Sequence, residues 1–336
     1  MKVFFNSINT LHMKKQIHIL LACLILGLFS FDAKAQDPEF SQFYANPLYL
    51  NPAFAGTKNC PRIHMNHRNQ WPGITGSFIT NSVSYDQRVE ALYGGLGLIV
   101  MNDKAGQATL NTTRVSGIYS YGVNINRKIT AHFGLEAAYF QRSLDWNKLT
   151  FGDMIDPRRG FVYQTNDVPR GGTVSNIDFS AGALIFSETF FAGFAAHHIN
   201  EPNESLVSGD SKLPMKFTLH AGTNIDMAGP GGKYTTNSAK ISPNIMYRNQ
   251  GTFNQLLLGL YVKKDALTLG AWYRDSDAFI LSLGIETNVF RIGYSYDVTV
   301  SKLTMASGGS HELSMGINFP CKPKRKTYRT ITCPSF

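Results

Sequence analysis

Apolar and polar residues alternate with a period of two over most of the chain beyond residue 60. In the stretch 267–274, Leu267, Leu269, Ala271 and Tyr273 share one face, while Thr268, Gly270, Trp272 and Arg274 share the other. Phe279, Leu281, Leu283 and Ile285 alternate with Ile280, Ser282, Gly284 and Glu286, and 290–297 and 312–319 repeat the pattern. Successive side chains of a strand point to opposite sides, so this pattern predicts strands with one apolar face. The candidates are 62–71, 77–88, 92–102, 111–125, 128–141, 174–187, 189–199, 214–226, 239–249, 252–263, 266–274, 278–286, 289–297 and 311–319. That makes about fourteen strands of roughly 9–14 residues. Such lengths exceed those usual in soluble sheets and suit tilted strands crossing a bilayer. A bacterial single-chain barrel has an even number of strands.

The links support the same arrangement. With both ends of the barrel in the periplasm, links after odd-numbered strands face outward and should be long. Those at 141–173, 200–213 and 298–310 are long, whereas 89–91, 126–127, 188, 264–265 and 287–288 are short. The Gly-rich link 227–236 departs from the rule. It is either a long periplasmic turn or a sign of a miscounted strand.

The outward set is Leu, Ile, Phe, Ala and Tyr. The inward set carries Arg62, His64, Arg68, Gln70, Arg114, Glu136, Asp178, Lys216, His220, Arg274, Glu286, Arg291, Asp297 and Glu312. Opposite charges facing across a narrow lumen are expected to pair. A soluble two-sheet sandwich would have shorter strands and no need of a lipid-like face in so many segments. The sequence therefore predicts an all-β protein, a closed antiparallel transmembrane β-barrel of about 14 strands.

Composition agrees. Of the 336 residues 16% are charged, below the roughly 25% of soluble domains. The 23 Phe, 15 Tyr and 3 Trp exclude a disordered chain. Residues 1–35 read as a secretory signal with Met13 as the start: Lys14-Lys15, an apolar core over 17–31, and Ala33-Lys34-Ala35. The net charge of +9 sits at the ends. Residues 1–35 contribute +3 and 321–336 contribute +5, from Lys322, Lys324, Arg325, Lys326 and Arg329, which leaves +1 for the body. A nucleic-acid partner is not expected.

Between signal and barrel, residues 36–60 form a periplasmic N-terminal segment with Phe40, Phe43, Tyr44, Tyr49 and Phe54. Asn46-Pro47 and Asn51-Pro52 impose two breaks. The segment is too aromatic for a linker and is expected to pack as a plug or lid at the periplasmic mouth. Three cysteines survive export, so one is unpaired. If the first and last strands pair, Cys60 and Cys321 lie just beyond the same end of neighbouring strands, within disulfide reach. Cys333, on the basic periplasmic tail 321–336, competes for either.

Catalytic signals are weak. His311-Glu312 lacks the second His of a zinc-protease motif. His197 and His198 are expected on opposite faces of one strand, unable to share a metal. Asp153 and Asp156, beside Pro157 and Gly160, fit turns or a calcium loop. The expectation is no enzyme, no metal and no cofactor.

The segment Gln36-Asp-Pro-Glu-Phe-Ser-Gln-Phe-Tyr-Ala-Asn-Pro-Leu-Tyr-Leu-Asn-Pro-Ala-Phe-Ala-Gly56 resembles the mature N-terminus of the PorP/SprF family of the Bacteroidetes type IX secretion and gliding machinery. Further similar segments follow in family order. They are Arg68-Asn-Gln-Trp71, Asn102-Asp-Lys-Ala-Gly106, Phe151-Gly-Asp153, the run from Gly193 through His198 to Asn200-Glu-Pro-Asn203, Gly270-Ala-Trp-Tyr-Arg274, Gly293-Tyr-Ser-Tyr-Asp297 and His311-Glu312. The resemblance spans about 36–320. It implies an outer-membrane barrel, 61–320, serving secretion or surface attachment of a cargo protein alongside other secretion components. A gated channel for a small solute is the alternative. Candidate partner contacts are Phe151, Arg158, Arg159, Phe161 and Tyr163 in the longest outer loop and Lys322, Lys324, Arg325 and Lys326 in the tail.

Overall fold

The computed structural model describes residues 37–106, 109–166, 171–206, 209–227, 239–300, 307–321 and Cys333. The signal stretch 1–35 and the basic residues Lys322, Lys324, Arg325 and Lys326 lie outside the described residues.

Alternation becomes strand from the first candidate onward: β1 (Arg62–Gln70), β2 (Phe78–Val89), β3 (Gly94–Ala105), β4 (Leu110–Asn124) and β5 (Thr130–Leu144). A two-residue hairpin, β6 (Ile155–Asp156) and β7 (Gly160–Phe161), occupies the long link that follows. Then come β8 (Thr173–Phe186), β9 (Phe190–His197) and β10 (Lys216–Thr223), with β11 (Ile225–Asp226) continuing β10 past a break at Asn224. β12 (Lys240–Gln250), β13 (Phe253–Lys264), β14 (Leu267–Arg274), β15 (Ala278–Glu286), β16 (Phe290–Thr299) and β17 (Ser310–Asn318) complete the chain. Each long strand pairs antiparallel with its neighbours in sequence, and β1 pairs with β17 from Arg62↔Asn318 to Gln70↔Ser310. The β10–β12 pairing keeps the ring continuous across the long 227–239 link, so that link is a long connection and the count of fourteen spanning strands stands. Closure leaves no open sheet edge to be solvated inside a bilayer.

The faces divide as the period-two pattern requires. Phe133, Leu135, Phe279, Leu281, Leu269 and Leu313 are among the outward residues and are half or more exposed. Arg68, Glu136, Asp178, Arg274, Asp297 and Glu312 point inward and are buried. Both ends of the barrel chain leave at one end, here the terminal end, where Cys60 and Cys321 are joined as a disulfide with Cα atoms 4.6 Å apart. The described parts of the long links, 145–166, 171–172, 198–206 and 209–215, lie at the opposite, long-loop end.

Alternation fails at one instructive place. β9 stops at His197, and His198 adopts a left-handed conformation with φ 57°. That reversal turns both imidazoles inward, at 5% and 2% exposure, where the sequence pattern places them on opposite faces.

Candidate functional site: a lumen filled by the N-terminal segment

Residues 37–57 run through the lumen from the long-loop end down to the terminal end. They reach further than a lid over the mouth would. The reason lies in the wall, whose inward positions are widely occupied by small residues. Ser82, Ser84, Ser116, Ser120, Ser180 and Ser314 are all buried, and they leave room that the N-terminal segment fills.

Local structure follows from the two Asn-Pro pairs. Proline at the first helical position starts a single turn at Pro47–Leu50 and a 3₁₀ turn at Pro52–Phe54. Asn51 accepts from the Ala53 amide at 2.9 Å through its side chain, capping the second turn. Its Nδ2 donates to the Ala183 and Phe194 carbonyls, both at 3.1 Å, and so ties the turn to β8 and β9. The wall admits this approach only through glycine. A Cβ on Gly134 would lie 2.3 Å from the Ala53 nitrogen, and one on Gly182 would lie 2.0 Å from Asn51 Oδ1.

Two apolar clusters hold the segment. Leu48, Ala53, Phe54 and Ala55 pack with Ile99, Ile118, Leu184, Phe186, Phe191 and Cys333. Phe43, Tyr44 and Ala45 pack with Met246, Leu257, Tyr261, Trp272 and Ile280. Phe40 is buried and meets Tyr49 edge-on, with ring centroids 5.3 Å apart. All five aromatics singled out in the sequence therefore face the lumen interior.

The inward charges pair with one another and with the plug. Near the terminal end, Arg62 Nε meets Asp86 Oδ1 at 2.6 Å, and Asp86 Oδ2 accepts from the Gly56 amide at 2.9 Å. Midway, Glu312 accepts from the Ser41 amide at 2.6 Å and the Gln42 amide at 3.2 Å. Ser41 Oγ donates to Asp297 at 2.6 Å, and that carboxylate also holds Arg68 at 2.9 Å and Arg274 at 3.4 Å. At the long-loop end, Asp37 meets His198 Nε2 at 2.8 Å and the Lys216 ammonium. His198 Nδ1 in turn bonds Asp178 at 2.8 Å, which pairs with Arg114 at 2.7 Å. Glu39 pairs with Arg248 at 3.2 Å. Burial opposes ionisation of Asp37, but His198 and Lys216 hold its carboxyl well below the usual carboxylate range.

The sequence pattern does not mark Asp37, Ser41, Gln42 and Asn51 as partners of the wall, nor His198 as an anchor. A signal for them was present in the inward serines and mid-strand glycines, which describe a lumen shaped to hold something besides its own wall. The outer-loop candidates lie apart from the lumen. Phe161 and Tyr163 are 61% and 55% exposed, and Arg158 and Arg159 are exposed at the tip of the β6–β7 hairpin. Asp156 accepts from both arginine amides, at 2.8 and 2.9 Å, bonds which lower its pKa, while Asp153 accepts from Thr165 and Asn166. Both carboxylates thus serve the loop's own turns. Phe151 is half-buried and stacks on Trp146. Cys333 is buried against the plug.

Fold and lumen together define an outer-membrane β-barrel plugged by its own N-terminal segment. A family description, type IX secretion system membrane protein PorP/SprF, matches residues 32–317. The chain belongs to that family. No curated protein matches. Among solved structures the chain is similar to the Acinetobacter baumannii outer membrane protein Omp33, at 8% identity over 78% of this chain and 100% of that one, with a TM-score of 0.42. It is also similar to the Ralstonia pickettii toluene transporter TbuX, at 10% identity over 81% and 93%, TM-score 0.44. A Pseudomonas aeruginosa FadL homologue matches at 10% identity over 86% and 100%, TM-score 0.41.

Proposed function

We propose that this barrel is a docking component of the type IX secretion and gliding machinery of Bacteroidetes, serving secretion or surface attachment of a cargo protein. It performs no chemistry of its own and passes no solute. The observation that carries this reading is the filled lumen. A solute path would have to break the Asp37–His198 pair, the Ser41 and Gln42 bonds to Glu312, and both apolar clusters. The surfaces left for partners are the outer loops and the terminal end. The terminal end faces the periplasm, and the loops at 145–172 and 198–215 face outward. The exposed hairpin with Phe161, Tyr163, Arg158 and Arg159 offers an aromatic and cationic contact outside the lipid constraint. The basic residues Lys322, Lys324, Arg325 and Lys326 suit a salt-sensitive contact with an acidic periplasmic component.

The test is a deletion strain complemented by the wild type, by a chain lacking 151–163, or by a chain truncated after Cys321, with the surface proteome measured in each. Loss of one or a few surface proteins with nutrient uptake intact supports the reading. An unchanged surface proteome with loss of uptake of one solute makes the protein a gated channel instead.

A further inference from the structure

A small cavity, with room for a few water molecules, lies between the plug and the wall at the terminal end. Phe43, Tyr44, Leu50 and Phe54 of the plug give it one apolar side. Lys58, Arg62, His64 and Arg291 face it from the other, and among the described residues none of its lining is a carboxylate. Two carboxylates stand behind the lysine and the arginines. Asp86 holds Arg62 at 2.6 Å, and Glu286 is shared by Arg291 at 2.8 Å and Lys263 at 2.6 Å. Lys58 makes no ion pair among the described residues. Among the described residues Arg62, Arg291, Lys58 and, behind the cavity, Lys263 therefore meet two carboxylates, a surplus of two positive charges in a half-closed apolar setting. An uncompensated charge in such a place is unfavourable, and a bound counter-ion relieves it.

A second observation is an unpartnered ring nitrogen. His64 is 7% exposed, lines the cavity, and its Nε2 has no hydrogen-bond partner among the described residues. Buried polar atoms in folded proteins are nearly always satisfied, so an unpartnered ring nitrogen beside a cationic cavity marks a place for a hydrogen-bonding ligand, an acceptor when Nε2 carries the proton. We infer that this cavity binds a phosphate-class anion, either free or as a lipid headgroup. A phosphate group carries roughly two negative charges near neutral pH, which matches the surplus. Its oxygens suit a lysine point charge, an arginine fork and an imidazole N–H converging from different strands. The site is independent of the docking role proposed above.

The surroundings agree. Burial, with repulsion from Arg62 and Arg291, lowers the Lys58 ammonium to about 8, the direction expected of a cation without a counter-ion. Glu286 pulls the other way, and Lys263 adds to the repulsion. Two further ionisable residues line it, the Tyr44 phenol and the Cys333 thiol, and burial pushes each up to about 12, so both stay neutral.

The full chain, purified in detergent, is titrated separately with inorganic phosphate and with a short-chain phosphatidic acid, and binding is read by calorimetry and phosphorus NMR. Wild type should bind at least one of them saturably. Lys58→Met and His64→Phe should each weaken binding roughly tenfold or more, with the folded barrel verified by its heat-modifiable gel mobility. Lys58→Arg should retain binding. Raising the pH from about 7 to about 10 should weaken wild-type binding roughly tenfold and leave Lys58→Arg less affected. Binding of phosphate identifies the free anion, and binding of the lipid alone identifies the headgroup. Saturable binding of neither, or undiminished binding by folded Lys58→Met and His64→Phe, overturns the site.

Discussion

Replacing His198 by glutamine removes the electrostatic anchor of the plug at the long-loop end. In the wild type both ring nitrogens face carboxylates, Nε2 toward Asp37 and Nδ1 toward Asp178, each at 2.8 Å. A neutral imidazole donates from one nitrogen only, so both bonds together require the imidazolium. Burial pulls the His198 pKa down, but Asp37 and Asp178 outweigh it and raise it from 6.5 to about 9. At about 1.4 kcal/mol per pH unit, this shift is worth on the order of 3 kcal/mol. Between about pH 6.5 and about pH 9 the folded protein keeps a proton that the unfolded chain has released, so stability falls as pH rises. The contribution is complete below that window and gone above it. Lys58 acts in the opposite sense. Its folded value of about 8 lies below 10.5, so it adds stability as pH rises through that interval. Comparing wild type with His198→Gln cancels the lysine contribution. Denaturant unfolding of the reconstituted barrel, followed by tryptophan fluorescence, should show wild type ahead by roughly 3 kcal/mol at about pH 6.5. The gap should shrink below about 1 kcal/mol by about pH 9.5. A gap that is absent, or constant across this range, refutes the anchoring role.

Gly134→Leu should drive Ala53 and its neighbours from their seat, because even a Cβ there would lie 2.3 Å from the Ala53 nitrogen. A loss of about 1–3 kcal/mol and new proteolytic cleavage within 40–56 are expected in limited proteolysis of the folded barrel, whereas full protection would contradict the seating. Peptide mapping without reduction should recover a Cys60–Cys321 cross-link, with Cys333 alkylated only after denaturation. Alkylation of Cys60 and Cys321 in the native protein would exclude the bridge.

The barrel was legible because a two-sided wall writes itself into sequence. In β14, β15, β16 and β17 every outward Leu, Ile, Phe or Tyr of the alternation is outward in the structure, since lipid and lumen impose opposite chemistry on adjacent residues. The seam was legible for the same reason. Once β1 and β17 are neighbours, Cys60 and Cys321 must fall together. The plug was legible as a packed aromatic segment, while its depth was not. Period-two patterning says which residues face inward but not what fills the space between them. Ser41 and Gln42 meet Glu312 across more than 250 positions of sequence, and no local rule reports such a contact. His198 escaped because one left-handed residue at the end of β9 breaks the alternation on which its placement depended. The Arg158-Arg159 turn was readable from Asp156, Pro157 and Gly160, whereas the role of its exposed face depends on a partner outside this chain.

The closed lumen is the claim on which the functional reading rests, and planar-bilayer recording of the purified barrel measures it most directly. Intact protein should pass little current at either polarity, and a chain lacking 37–57 should show discrete openings, because that deletion removes Asp37, Ser41, Gln42 and both apolar clusters from the lumen. A large steady conductance from intact protein, unchanged by the deletion, would contradict the account.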